Sequence, residues 1–311
     1  MIRYDLIDYR DAVISARKRA LRRKVSKMEV EIYDQIIEAV SNEMLKQGGF
    51  KAAGGGMSMS LINTLEVIFG KFRDKTTLTL LTQIARDIDK ISKATNAYFF
   101  GTMTLEKGVI EGFGAVAEQA IRSALGLGSR GGILAGGMID KLTKAPSIRD
   151  KVMKFLYDAF AQGMDGKQMM NGINDLLISN KDKNGALIQQ FAPLIYDGYQ
   201  QYERTYNRGI ANYLGMRCFI YAGGLIETSR DFCIKKNNKV FTIWEADEWK
   251  DDNDLLLTNE ERRRGGPIDY VPLRDLGRWR CRHMINFISD EEAIKLRPSL
   301  KSVLKKNVNN A

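Results

Sequence analysis

The chain has 311 residues, 44% of them apolar, and a formal net charge of +10. That length and apolar content suffice for a full hydrophobic core and for two domains, and they exclude wholesale disorder. Three cysteines exclude a disulfide framework and fit a reducing compartment; the excess of cations points to an anionic partner, nucleic acid or a membrane surface.

Residues 4–47 read as one long helix. Ile14, Leu21, Val25, Met28, Ile32 and Ile36 fall within an arc of roughly 80° at helical periodicity. So narrow a stripe suits a coiled-coil-like contact with another helix, or packing on the protein's own body. The same helix carries Arg17, Lys18, Arg19, Arg22, Arg23, Lys24 and Lys27 with no acidic residue among them. A cluster of like charge gains from nearby phosphate, so these are candidate contacts to double-stranded DNA; the alternative is a solvated helix surface. The start, MIRYDLIDYRD, lacks the apolar core of an export signal. No segment reaches the roughly 18 to 20 apolar residues of a membrane span, and synthesis as a soluble cytoplasmic species is expected.

Gly48, Gly49 and Gly54–Gly56 mark a flexible joint. Beyond it, helices are expected over 59–70, 74–98, 104–125, 131–143, 147–162, 166–179 and 184–213, with Asp165 as an N-cap. The stretch from Gly126 to Gly131 fits GxGxxG. It follows a helical pattern rather than a strand, so it reads as a helix–helix turn and not as a dinucleotide site.

After about Met216 the composition changes. CFIYAGGLIE, KNNKVFTI with a turn at Asn237-Asn238, and RCRHMINFI read as strands. Residues 245–266 form a charged excursion in which Asp247, Glu248, Asp251, Asp252 and Asp254 read as a solvated face. From Lys295 the tail is basic, which suits disorder or DNA contact. The fold class is therefore α+β: a mostly helical N-terminal two-thirds with a long basic N-terminal helix, then a small mixed α/β C-terminal module with a short antiparallel sheet. The segments are a basic helix (1–48), a helical body (49–215), the C-terminal module (216–292) and the basic tail (293–311).

The module holds Cys233, Cys281, the single histidine His283, Trp244 and Trp279. On a strand, residues 281 and 283 project from one face. Thiolate and imidazole are zinc ligands, but a structural site normally takes four, and three are visible. Asp231 is the nearest candidate for a fourth ligand, with Cys218 another. A Cys233–Cys281 disulfide, and two buried thiols beside a hydrogen-bonded histidine, are the other readings. One histidine without GxSxG or HExxH leaves no assembled acid–base set, so catalysis is not expected.

In chain order the module shows Gly223-Gly224-Leu225-Ile226, Ser229-Arg230, Phe232-Cys233, Lys239-Val240-Phe241, Leu276-Gly277 and Cys281-Arg282-His283. This series resembles the head morphogenesis family of tailed phages, the minor head proteins of the Mu F type. Upstream, YERTYNRGIANYLG (Tyr202 to Gly215) is similar to the helix that leads into the module in that family. The resemblance covers about residues 165–292. Arg230 stands where many members have the first Cys of a Cys-x-x-Cys, and Asn238 and Arg278 replace glycines.

The resemblance implies a structural protein of the virion, made in the host bacterial cytoplasm and located in the capsid interior or at the portal vertex. It implies the portal protein, the major capsid or scaffolding proteins and double-stranded DNA as partners, with self-association around the portal vertex. It matches Cys233, Cys281 and His283 to three positions of a candidate Zn2+ set, and the residue missing at Arg230 weighs against that ion. The positions that carry the module's motif are then Gly223, Gly224, Ser229, Arg230, Phe232, Val240, Phe241, Arg282 and a buried Trp279. Two alternatives differ in class: a membrane-active DNA-ejection protein that inserts Gly108–Met138, and a DNA-processing enzyme.

Overall fold

The computed structural model describes residues 4–47, 56–103, 107–128, 132–134, 138–140, 148–180, 182–255, 270–278 and 281–308. The fold is α+β as expected, mostly helical with one small antiparallel sheet near the C-terminus. The chain divides into two compact units. One comprises Met1–Ser15, Ile88–Gly137 and Tyr196–Ala311, and the other Ala16–Asp87 and Met138–Ile195.

Helix α1 spans Tyr4–Lys46. Its stripe, Ile14 through Ile36, is buried along its length and continues in Val40 and Met44. Helix α2 spans Met59–Thr102 without a break, where two helices were expected over 59–70 and 74–98. Gly70 sits inside it, which costs a helix only about 1 kcal/mol. The apolar series Leu61, Leu65, Phe69, Phe72, Leu80 and Ile84 is buried across the expected gap, and that burial outweighs the local propensity.

In the second unit, α4 (Ile148–Ala161) and α5 (Gly166–Leu177) follow, and the first turns of α6 (Ala186–Tyr213) complete it. Asp165 caps α5 reciprocally: its carboxylate accepts from the Gln168 amide at 2.8 Å, and the Gln168 side chain accepts from the Asp165 amide at 3.0 Å. Glu29 of α1 is fully buried. Its carboxylate accepts from the Ile188 amide at 3.0 Å and from the Ser179 hydroxyl at 2.7 Å, and so caps the first turn of α6.

The first unit contains α3 (Lys107–Leu125) and the sheet. After α3 the chain turns at Gly126, and Leu127 bridges to Ile133. A helix was expected over 131–143; Ile133 is instead in that bridge, with Gly132 and Leu134 non-helical beside it, 138–140 are helical, and 131, 135–137 and 141–143 lie outside the described residues. The same holds for Gly48, Gly49, Gly54 and Gly55 of the expected joint, and for Ser129–Gly131 of the GxGxxG stretch.

The sheet has strand order β2-β1-β3, with β1 Cys218–Ala222, β2 Lys239–Thr242 and β3 Met284–Ile288, all antiparallel. Period-two alternation sorts its side chains. One face carries Cys218, Ile220, Val240 and Ile288, which pack with Ala293, Leu300 and Leu304. The last three lie on α8 (Asp290–Leu296) and α9 (Leu300–Val308), so the basic tail is helical and its leucines seal this face.

The other face carries Phe219, Tyr221, Phe241 and Phe287. Its aromatic centre is Trp249, whose ring lies 5.3 Å from those of Phe232 and Phe241 and 5.7 Å from that of Tyr221. Trp249 belongs to a 3-10 turn, Glu248–Asp251, inside the stretch expected as a charged excursion. The acids there are paired in part: Asp252 with Lys236 and Asp254 with Lys235, both at 2.7 Å. The expected brace Trp279 lies outside the described residues.

Strand β3 is an edge strand, and its outward carbonyls are covered by side chains instead of a fourth strand. Arg204 donates to Cys281 O and His283 O, both at 2.8 Å. Asn207 and Arg10 donate to Ile285 O, and Tyr98 to Phe287 O at 2.7 Å. Arg10 is fully buried, reaches Asn286 Oδ1 at 2.8 Å, and forms an ion pair with buried Glu203 at 3.2 Å. Burial raises the Glu203 carboxyl above the ordinary range, against the charges of Arg10 and Arg204.

Candidate metal centre

Three short elements converge below the aromatic face. Helix α7 (Asp231–Lys236) turns the chain between β1 and β2 and presents Phe232 and Cys233 inward. Asn238, at φ +59°, makes the tight turn into β2, as its place between the two elements leads one to expect. Cys281 and His283 lie not within a strand but in the extended segment just before β3. Alternation still holds there: both side chains are buried, whereas Arg282 between them is exposed.

Two glycines allow the close approaches. The β1–β3 register, continued by one pair beyond Ala222↔Met284, sets Gly223 opposite His283. A Cβ on Gly223 would lie 2.7 Å from the His283 Cα. The imidazole therefore settles against β1 and stacks on Tyr221, with ring centroids 4.7 Å apart and planes 17° from parallel. A Cβ on Gly277 would lie 2.3 Å from the Cys233 sulfur and 3.1 Å from that of Cys281. The turn at Gly277 thus passes directly over both thiols. By contrast Gly224 faces open space. Ser229 holds the intervening loop, its hydroxyl accepting from the Ile226 amide at 2.8 Å.

The sulfurs of Cys233 and Cys281 are 3.9 Å apart, and Cys281 Sγ is 3.8 Å from His283 Nδ1. All three ligand atoms lie within 4.8 Å of one another, and all three residues are buried. This group could hold a metal ion. Ligands about 2.3 Å (S) and about 2.0 Å (N) from a tetrahedral ion are separated by ~3.8 Å for S–S and ~3.5 Å for S–N; the Cys233–Cys281 and Cys281–His283 separations are close to these, and Cys233 and His283 lie within 4.8 Å. The thiols are free rather than joined.

The two expected supplements are not at this group. Asp231 is exposed at the start of α7. Cys218 projects from the opposite face of the sheet, where burial pushes its thiol up to about 12.

The pair shares its ionisation unequally. Cys233 is raised, first by its hydrogen bond to Cys281 and then by burial. Burial also opposes ionisation of Cys281. Hydrogen bonds from Cys233 and His283, with the charge of Arg204, outweigh it and hold that thiol well below the ordinary range. Ionisation within the pair therefore falls on Cys281 before Cys233. The second ring nitrogen of His283, Nε2, is buried and meets no acceptor among the described residues.

The basic run lies in the other unit. Arg19, Arg22, Arg23 and Lys27 are exposed; Arg17, Lys18 and Lys24 are half-buried. Arg17 lies 3.8 Å from Asp87, Lys24 donates to Gln83 at 3.2 Å, and Arg22 reaches Asn184. Four cations of the seven thus form an outward patch. Neither a family model, nor a curated protein, nor a solved structure matches the chain.

Proposed function

We propose that the chain is a structural minor head protein of a tailed bacteriophage, whose C-terminal module is a docking unit braced by Zn2+ on Cys233, Cys281 and His283. The portal vertex is its place of assembly, the portal protein its first partner, and packaged DNA the anion that its outward basic patch meets. The observation that carries this reading is convergence. Residues scattered through the motif series (Gly223, Phe232, Cys233, Gly277, Cys281 and His283) meet at one buried point and hold it in shape. A protein that must keep one docking surface gains from such a point; a catalyst would need the same groups open to substrate. Cys233, Cys281 and His283 are 4%, 5% and 2% exposed, which supports bracing over catalysis. Among the described residues no helix is long and apolar enough to cross a membrane, and nothing there favours the ejection alternative.

The test is co-expression of the chain with the portal protein and with the major capsid protein. Co-purification with the portal ring at a fixed ratio, lost when Cys233 and Cys281 are both replaced by serine, is the expected result. A chain that ignores the portal ring while its own fold is intact overturns the proposal.

A further inference from the structure

We propose that Tyr221 supplies the fourth donor of the metal centre, so that two sulfurs, one imidazole nitrogen and one phenolate oxygen enclose the ion. This rests on the reading of Cys233, Cys281 and His283 as ligands. The Tyr221 hydroxyl lies 3.3 Å from the Cys233 sulfur and 3.6 Å from the Cys281 sulfur. For oxygen about 2.0 Å and sulfur about 2.3 Å from a tetrahedral ion, the O–S edge is ~3.5 Å. The hydroxyl therefore stands where a fourth vertex belongs relative to both sulfurs.

The fold explains why. Tyr221 and His283 sit on the same face of the sheet, one diagonal step apart across the β1–β3 pair. The Gly223 approach brings their rings into the stack described above, so both point their polar ends toward the thiols. Tyr221 is fully buried, and the Gly277 turn covers the opposite side, where a Cβ on that glycine would lie 3.5 Å from the hydroxyl. A closed four-ligand site is what a structural metal takes. Coordination breaks the phenolic O–H bond, forms the metal–oxygen bond and sends the proton to solvent; the charge of the ion offsets the burial that otherwise disfavours phenolate.

Tyr221→Phe isolates the idea, because it keeps the ring and its stack and removes one oxygen. Full-length protein, stripped with chelator under reducing conditions, is titrated with Zn2+ against a competing chelator while the ultraviolet difference spectrum is recorded. The expected result is one zinc per wild-type chain with a phenolate band that grows in step. Tyr221→Phe then lacks the band and binds more than about 100-fold more weakly, beyond what an outer-sphere partner contributes. If wild type binds zinc with no phenolate band, or Tyr221→Phe binds as tightly as wild type, the tyrosine assignment fails and the three-ligand reading stands. If wild type takes up no zinc, both fail, and that arm shows it without the variant.

Discussion

Arg204 ties the sheet edge to the cluster, and its removal is the most informative single perturbation. The side chain is 3% exposed. Its guanidinium donates to Cys281 O and His283 O at 2.8 Å and to Arg274 O at 3.2 Å. A hydrogen bond from a charged donor contributes about 1.5 to 3 kcal/mol net. Three would sum to roughly 5 to 9 kcal/mol, but bonds that share one group are not additive. Deletion of one partner from a buried ionic cluster costs about 3 to 5 kcal/mol, and we expect Arg204→Ala to fall there. Arg204→Lys keeps the charge but presents a point instead of a fork, so it restores about 1 to 2 kcal/mol at most. All three tryptophans, Trp244, Trp249 and Trp279, belong to the C-terminal region, so their fluorescence during urea unfolding reports the sheet's own unit. The readout is the midpoint shift at constant slope. A loss below about 1 kcal/mol for Arg204→Ala, or equal losses for Ala and Lys, refutes the argument that the fork holds the edge.

Gly277→Ala places a methyl group 2.3 Å from the Cys233 sulfur; it should cost about 1 to 3 kcal/mol as overpacking and abolish zinc uptake measured by chelator competition. Gly224→Ala, with nothing within 4 Å, should leave both unchanged. Because the folded-state value of Glu203 is raised, the stability its protonated form contributes is complete below the ordinary carboxylate range and is lost as pH rises through the raised value. Urea midpoints of wild type should therefore fall with pH across that window, and those of Glu203→Gln should fall less. Replacing Arg19, Arg22, Arg23 and Lys27 together with alanine should weaken duplex DNA binding and reduce the salt slope of log K by about 3 to 4; an unchanged slope in a salt titration removes this patch from any DNA contact.

Helices and strands were legible in the sequence wherever one period ran unbroken. The stripe from Ile14 to Ile36, the Asp165 cap and the turn at Asn238 are read from local spacing, and the structure has all three. The join of 59–70 to 74–98 was not legible, because Gly70 is a local signal and the buried series that overrides it is a tertiary one. Helix α7 was missed: six residues, DFCIKK, carry too few turns for a period to show. At the cluster, Cys233, Cys281 and His283 announce themselves by rarity. Tyr221 does not, since one tyrosine in a strand reads as β-propensity. Arg10 and Glu203 carried a usable signal. Arg10 lies four residues before Ile14 on the buried stripe, and Glu203 continues the face of Tyr199, Tyr206 and Ile210. A charge on an apolar stripe predicts a buried partner without naming it. The partners are each other, and for Arg10 also the Ile285 carbonyl of β3, 275 residues away in sequence.

The turn over the thiols carries a cost that packing alone does not explain. Leu276 is fully buried at φ +47° and ψ −118°, a backbone state that favours glycine, and Arg278 follows at φ +66°. Such residues cost about 1 to 3 kcal/mol each and persist only where the surroundings over-determine them. Here they do. Arg278 N donates to Asp275 O at 2.7 Å, the Tyr270 hydroxyl to Leu276 O at 2.7 Å, and the Val271 amide to the Asp275 carboxylate at 2.8 Å. Two buried thiols as mere core would be packed as well by a relaxed turn set further out. What the strained turn achieves is the placement of a glycine backbone against both sulfurs, which shuts the group from water. Water exclusion and fixed donor spacing are the two properties a structural ion requires, and both are built here from backbone held under strain. That is the physical reason to weigh the metal reading above simple core packing.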